Sequence, residues 1–406
     1  MSETSTGDAV TAVATVASAA TAGNWRKAGI AGAAIGVIAA GAAAGVAIER
    51  LTVGRGIRKK ARLALDASGP YGSLRGMPGK AVADDGTQLY YESDELDPEI
   101  GGPRRRRLFG RKAPAPVTVV FSHGYCLSQD SWHFQRAALR GLVRTVYWDQ
   151  RSHGRSARGA AQTGPDRVPV SIDQLGRDLR AVIDAAAPEG PLVLVGHSMG
   201  GMTMMAMADQ FPETVRERVV GIALVGTSSG KLGEVNYGLP VAGVNAVRRV
   251  LPGVLRALGS QTELVERGRR ATADLFAGLI KRYSFSSKDV DPAVARFAER
   301  LIESTPIDVV AEFYPAFDEH DKAAALPVFA GVPVLVLAGD KDLVTPSAHS
   351  EAIADLLPDA ELVIVPDAGH LVMLEHPEVV TDRLADLLVR VGAVPETADA
   401  EPSGTG

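Results

Sequence analysis

Residues Leu192 to Gly201 read LVLVGHSMGG, an unbroken run of branched apolar side chains that ends in Gly-x-Ser-x-Gly. Apolar residues without polar alternation predict a strand buried on both faces, the habit of parallel sheets. The pentapeptide Gly196-His197-Ser198-Met199-Gly200 predicts a sharp turn, and MTMMAMADQF after it is good helix material stopped by Pro212. Strand, turn and helix in that order would lift Ser198 clear of the sheet on a strained backbone, as a nucleophile requires. Gly196 and Gly200, lacking Cβ atoms, are expected to let strand and helix pass closely around the turn. An ordinary strand-to-helix turn is the competing account, so the weight falls on partners elsewhere in the chain.

Upstream, KAVADDGTQLYYE (Lys80–Glu92) has two alternating runs about Asp85-Gly86, a hairpin signal. Val117–Phe121 and Arg144–Trp148 read as buried strands, and Ser171–Ala187 as an amphipathic helix with Ile172, Leu175, Leu179, Val182 and Ile183 on one face. Downstream, Val219–Val225, Val332–Ala338 and Glu361–Val365 read as further strands, and Pro377–Arg390 as a closing helix. This alternation predicts an α/β fold, a doubly wound and mostly parallel sheet covered on both faces. Between Ser228 and Leu326 the strand signal vanishes while helical patterns such as TPIDVVAEFYPAF (Thr305–Phe317) persist, which predicts a helical cap. The expected division is a tail over 1–79, core over 80–227, cap over 228–326, core over 327–392 and a polar tail over 393–406.

With 406 residues the chain can bury a large core, and a net charge of -5 argues against a nucleic-acid partner. The single Cys126 excludes an intramolecular disulfide and a cysteine-rich metal site, and the histidines are not clustered at ligand spacing, so neither metal nor cofactor is expected. Gly29–Ile48 contains only Gly, Ala, Ile and Val, long enough to span a bilayer. Its basic flank (Arg50, Arg55, Arg58, Lys59, Lys60, Arg62) outweighs Arg26 and Lys27, which predicts a membrane anchor with the catalytic part in the cytoplasm. A weakly apolar Gly/Ala tail on a soluble cytoplasmic protein is the alternative. Arg104–Arg107 falls in a stretch rich in Pro and Gly and reads as a solvated linker.

A serine hydroxyl needs a histidine to take its proton and an acid to orient that histidine. Two later strands run into suitable loops: VPVLVLA into Gly339-Asp340-Lys341-Asp342-Leu343-Val344-Thr345-Pro346, and ELVIV into Pro366-Asp367-Ala368-Gly369-His370. With His123-Gly124, Asp149–Ser156 and Gly196–Gly200, these segments resemble the α/β-hydrolase fold family, in its capped serine esterase and lipase-like branch, over roughly 80–390. The resemblance implies Ser198 as nucleophile, Asp342 as triad acid with Asp340 as the alternative, and His370 as general base. It also implies an oxyanion hole from the backbone amides of Tyr125 and Met199, with His123, Gly124, Gly196 and Gly200 in support. The chain departs from the family's D-x-R-G-x-G-x-S loop in carrying Ser152 where glycine is usual, and that loop is read as structural.

The implied activity is hydrolysis of a small-molecule carboxylic ester or related acyl substrate through an acyl-enzyme. An acyltransferase, thioesterase or cofactor-free perhydrolase would use the same triad, and a ligand-binding receptor of low turnover is the rival outside enzymes. His197 is expected to support the nucleophile and His376 to start a helix; His133, His320 and His349 have no partner legible in sequence. Cys126 reads as an incidental thiol. Phe313, Tyr314 and Phe317 are candidate walls of the site.

Overall fold

The computed structural model describes residues 71–97, 115–163, 168–236, 280–286 and 290–394. Eight strands form one sheet: β1 (Met77–Val82), β2 (Gln88–Asp94), β3 (Thr118–Ser122), β4 (Arg144–Trp148), β5 (Leu192–His197), β6 (Val219–Val225), β7 (Val334–Gly339) and β8 (Glu361–Val365). Their spatial order is β1-β2-β4-β3-β5-β6-β7-β8. The hairpin β1-β2 and the β2-β4 pairing are antiparallel; every other pairing is parallel. The carboxyl ends of β3, β5, β6, β7 and β8 therefore open on one rim.

Among the described residues the longer helices are α1 (His133–Leu139), α2 (Ile172–Ala186), α3 (Met199–Gln210), α4 (Pro212–Arg218), α5 (Pro292–Glu303), α6 (Ile307–Asp318), α7 (Ser347–Leu356) and α8 (Pro377–Arg390), with shorter turns between them. The pleat sends successive side chains to opposite faces. Val119, Phe121, Val193 and Val195 pack with Leu384, Leu387 and Leu388 of α8, whereas Val120, Leu192 and Leu194 pack with Leu179, Val182 and Ile183 of α2 and Met204 of α3. The five apolar residues expected on one face of α2 are all buried, and Ser171 caps its start by accepting the Gln174 N–H at 3.2 Å.

A third apolar cluster seats α6 over the rim. Val309, Phe313 and Ala316 pack on Met199 and Met202 at the start of α3, and on Leu232 and Val235. This part of the expected cap is helical; 237–279 and 287–289 lie outside the described residues.

Two boundaries differ from the sequence reading. Described structure packs on the core ahead of residue 80: β1 starts at Met77, and Tyr71 packs on Phe134 and Phe297 with ring centroids 5.4 and 5.7 Å apart. At the other end, the Ala393 and Val394 amides donate to the Leu388 carbonyl at 2.9 and 3.4 Å, so the core extends past 392. The Gly29–Ile48 run and Arg104–Arg107 lie outside the described residues. Among the described residues, no helix is long and apolar enough to cross a membrane.

Candidate active site

The β5-to-α3 turn has the strain that its sequence predicts. Ser198 takes φ +52° and ψ −119°, a conformation that costs a non-glycine residue about 1–3 kcal/mol. Neighbours hold it there: the Ser198 N–H donates to Val225 O at 2.9 Å, and the Ser198 carbonyl accepts from Thr227 Oγ1 at 2.7 Å. The flanking glycines are needed for space. A Cβ at Gly196 would lie 2.6 Å from Gly200 C and Gly201 N, and one at Gly200 would overlap the Ser122 carbonyl. A Cβ at Gly124 would meet His197 Nδ1 at 2.6 Å and Ser198 Cβ at 3.2 Å, so the loop after β3 passes directly against the serine.

Three strand ends bring the remaining candidates together. His370 Nε2 lies 3.0 Å from Ser198 Oγ, and His370 Nδ1 lies 2.8 Å from Asp342 Oδ2. Asp342 Oδ1 accepts the Val344 and Thr345 N–H groups at 2.7 and 2.9 Å. Burial works to raise the Asp342 carboxyl. The adjacent His370 ring, its hydrogen bond and those two amides outweigh burial and hold the group below the usual carboxylate range. Asp340 is placed elsewhere, paired with Lys341 Nζ at 3.1 Å and accepting the Ala368 N–H at 3.3 Å. Gly226-Thr227-Ser228, after β6, supplies no carboxylate but supports the site through Thr227.

The other side of the serine is built from neutral polar groups. His123 Nδ1–H donates to Gly124 O at 2.7 Å, and His123 Nε2 accepts the Gln150 N–H at 2.9 Å. Burial pushes His123 down to about 4, so its ring is uncharged near neutrality. Gln150 in turn accepts from Thr203 Oγ1 on α3 at 2.8 Å, tying the loop after β3 to the helix that starts at Met199. The Met199 amide, at the first helical position, has no intrahelical acceptor. His197 donates through Nε2 to the His370 carbonyl at 2.9 Å, and burial, reinforced by the His370 ring, lowers it to about 3.

The 149–156 loop ties neighbouring segments together. Asp149 accepts the Gln129 and Arg155 amides at 2.7 and 2.9 Å, and Arg151 pairs with Asp178 at 2.6 Å. Ser152 sits at φ +64°, a left-handed conformation in which glycine is unstrained, which accounts for the family preference there. On the cap side, the Tyr125 hydroxyl donates to Val310 O of α6 at 2.5 Å, and its ring meets Phe317 edge-on at 4.9 Å. Phe313 is buried against Tyr125, while Tyr314 and Phe317 are half-buried.

Sequence reasoning left three histidines without partners, and each has one. His349 Nδ1 bonds Ser228 Oγ at 2.8 Å, His320 Nε2 donates to Ser228 O at 2.8 Å, and His133 Nδ1 accepts the Gly72 N–H at 3.3 Å. It also missed Glu375, whose carboxylate accepts the Gly369 N–H at 2.6 Å and the Ser286 N–H at 3.0 Å, fixing the loop that carries His370. His376 precedes α8 as expected.

A doubly wound sheet with a serine on a strained turn, and an imidazole and a carboxylate on later strand ends, defines an α/β-hydrolase. The chain belongs to the alpha/beta hydrolase fold family, whose profile matches residues 117–377. It is 30% identical over 277 residues to an sn-1-specific diacylglycerol lipase of Mus musculus, covering 66% of this chain and 80% of that one. It is 27% identical over 292 residues to the dihydrolipoyllysine-residue acetyltransferase component of the acetoin cleaving system of Pseudomonas putida, covering 71% of this chain and 68% of the relative. Among solved structures, a thermophilic esterase from Thermogutta terrifontis aligns with a TM-score of 0.57 at 25% identity, over 77% of this chain and 98% of that one.

Proposed function

We propose that the chain hydrolyses carboxylic esters by a Ser-His-Asp mechanism. Ser198 Oγ attacks the ester carbonyl while His370 Nε2 takes its proton, and Asp342 holds the ring in the Nδ1–H tautomer and faces the charge that forms on it. The Tyr125 and Met199 amides are assigned to the developing oxyanion, where preorganised donors contribute most. His370 returns the proton to the departing alcohol, leaving an acyl group on Ser198. Water then repeats the sequence and releases the acid. The observation that carries this reading is the continuous contact from Asp342 Oδ2 through His370 to Ser198 Oγ, at 2.8 and 3.0 Å.

A fluorophosphonate probe tests it. Labelling at Ser198 that disappears in Ser198→Ala supports the mechanism; a folded protein inert to the probe and to a panel of esters supports a binding protein instead. The resemblance to an acetyltransferase component favours one second reading, in which a thiol or alcohol replaces water at the acyl-enzyme. Adding such an acceptor to the ester assay and measuring transfer product against free acid separates the two. The apolar Gly29–Ile48 run supports a membrane anchor ahead of the catalytic unit. Full-length protein should then partition with the membrane pellet and a chain starting at residue 71 should not; recovery of both in the supernatant removes the anchor.

A further inference from the structure

Thr345 is buried, and its hydroxyl oxygen lies among three groups: Gly226 O at 2.9 Å, Asp342 Oδ2 at 3.0 Å and His370 Nδ1 at 3.3 Å. A hydroxyl has one hydrogen to give, so the two oxygens compete for it. At Asp342 the remaining positions are taken, since Oδ1 accepts two backbone amides and Oδ2 accepts from His370. The Gly226 carbonyl follows β6 on a residue at φ +49°, where a Cβ would stand 3.6 Å from Asp342 Oδ2. The threonine thus bridges the end of β6 to the carboxylate at the end of β7. Its branched Cβ restricts the hydroxyl to few rotamers, which a serine would not do as well.

We infer that Thr345 is a positioning residue for the proposed triad, its hydroxyl sharing one hydrogen between Asp342 Oδ2 and Gly226 O and so holding the carboxylate in line with His370. The inference rests on the triad reading. With the ring neutral, donation to Oδ2 steadies the carboxylate. When the ring takes the Ser198 proton, the hydroxyl can turn to Gly226 O and leave the full carboxylate charge facing the imidazolium. The Thr345 proton stays on its oxygen throughout, and no bond is made or broken there.

The test compares Thr345→Val, which keeps the shape and removes the hydroxyl, with Thr345→Ser, which keeps the hydroxyl, on p-nitrophenyl butyrate. Loss of one hydrogen bond to a charged group predicts a fall in kcat of about 10- to 100-fold for the valine variant with KM within about twofold, and recovery to within about fivefold in the serine variant. The downfield proton resonance of the His370 Nδ1–H should shift in the valine variant and return in the serine variant, a readout that general loosening of packing does not reproduce. The inference is overturned if the valine variant keeps wild-type kcat, or if the serine variant is as slow as the valine one. Should Thr345→Val fail to fold, Thr345→Ala against Thr345→Ser makes the same comparison, with equal rates overturning it. Ser198→Ala separates the two levels: activity there within about tenfold of wild type defeats the triad reading, whereas a Ser198→Ala slowed by about 1,000-fold or more beside a fully active Thr345→Val defeats only the role of Thr345.

Discussion

His153 offers a test of the buried neutral network beside the serine. Its ring lies edge-on to Phe313 at 4.9 Å and donates from Nδ1 to Arg151 O at 2.9 Å. Burial, with the nearby His123 ring second, holds it down to about 3 from an ordinary 6.5. Because the folded value lies below the unfolded one, the unfolded chain binds a proton in this window that the folded chain refuses. The stabilisation is therefore complete above about pH 6.5 and is lost as pH falls toward about 3, at about 1.4 kcal/mol per pH unit, or about 2 kcal/mol by pH 5. His123 and His197 act in the same direction, while Asp130, Asp149 and Asp178, whose carboxyls burial raises, act in the opposite one. His153→Gln isolates the single contribution, since the glutamine amide can still donate to Arg151 O. Urea unfolding of both proteins between pH 7.5 and 5 should show the wild type losing about 2 kcal/mol more than the variant. Parallel stability curves would refute the reasoning.

Asp342→Asn should lower kcat by about 1,000- to 10,000-fold, the scale seen when a triad acid is neutralised elsewhere, and Asp340→Asn should change it by less than about threefold. Steady-state kinetics decides, and the reverse ranking would mean that the wrong carboxylate has been assigned. Gly200→Ala places a methyl on the Ser122 carbonyl and within 2.9 Å of His123 O, so stability should fall by about 2 kcal/mol or more and activity with it, read by thermal melting and ester turnover. Ser171→Ala removes the cap of α2 and should cost about 1 kcal/mol in urea unfolding while leaving kcat unchanged.

The central strands were legible because burial on both faces writes itself as an apolar run. Val219–Val225, Glu361–Val365 and Pro377–Arg390 have the bounds read from their residues alone. Ser198 follows such a run immediately, while Asp342 and His370 lie on the loops after two more, and it was the resemblance to the family's motifs that assigned the three roles and preferred Asp342 to Asp340, the carboxylate nearer the strand end. What escaped depends on contacts between distant segments that leave no periodic trace. Thr345 meets Gly226 across 119 positions and His349 meets Ser228 across 121, and neither pair has a spacing or residue type that marks it. Tyr71 was assigned to a tail because its order comes from aromatic partners at 134 and 297 and from no local pattern. The strain at Ser152 was visible only as a departure from a glycine, and its positive φ supplies the physical reason.

Rapid quenching of the purified protein with p-nitrophenyl butyrate, followed by peptide mass mapping, addresses the chemistry most directly. A burst of p-nitrophenol should accompany a butyryl group on the peptide containing Ser198, and both should vanish in Ser198→Ala. Turnover that proceeds with the acyl group on another residue, or that survives in Ser198→Ala, would contradict the account.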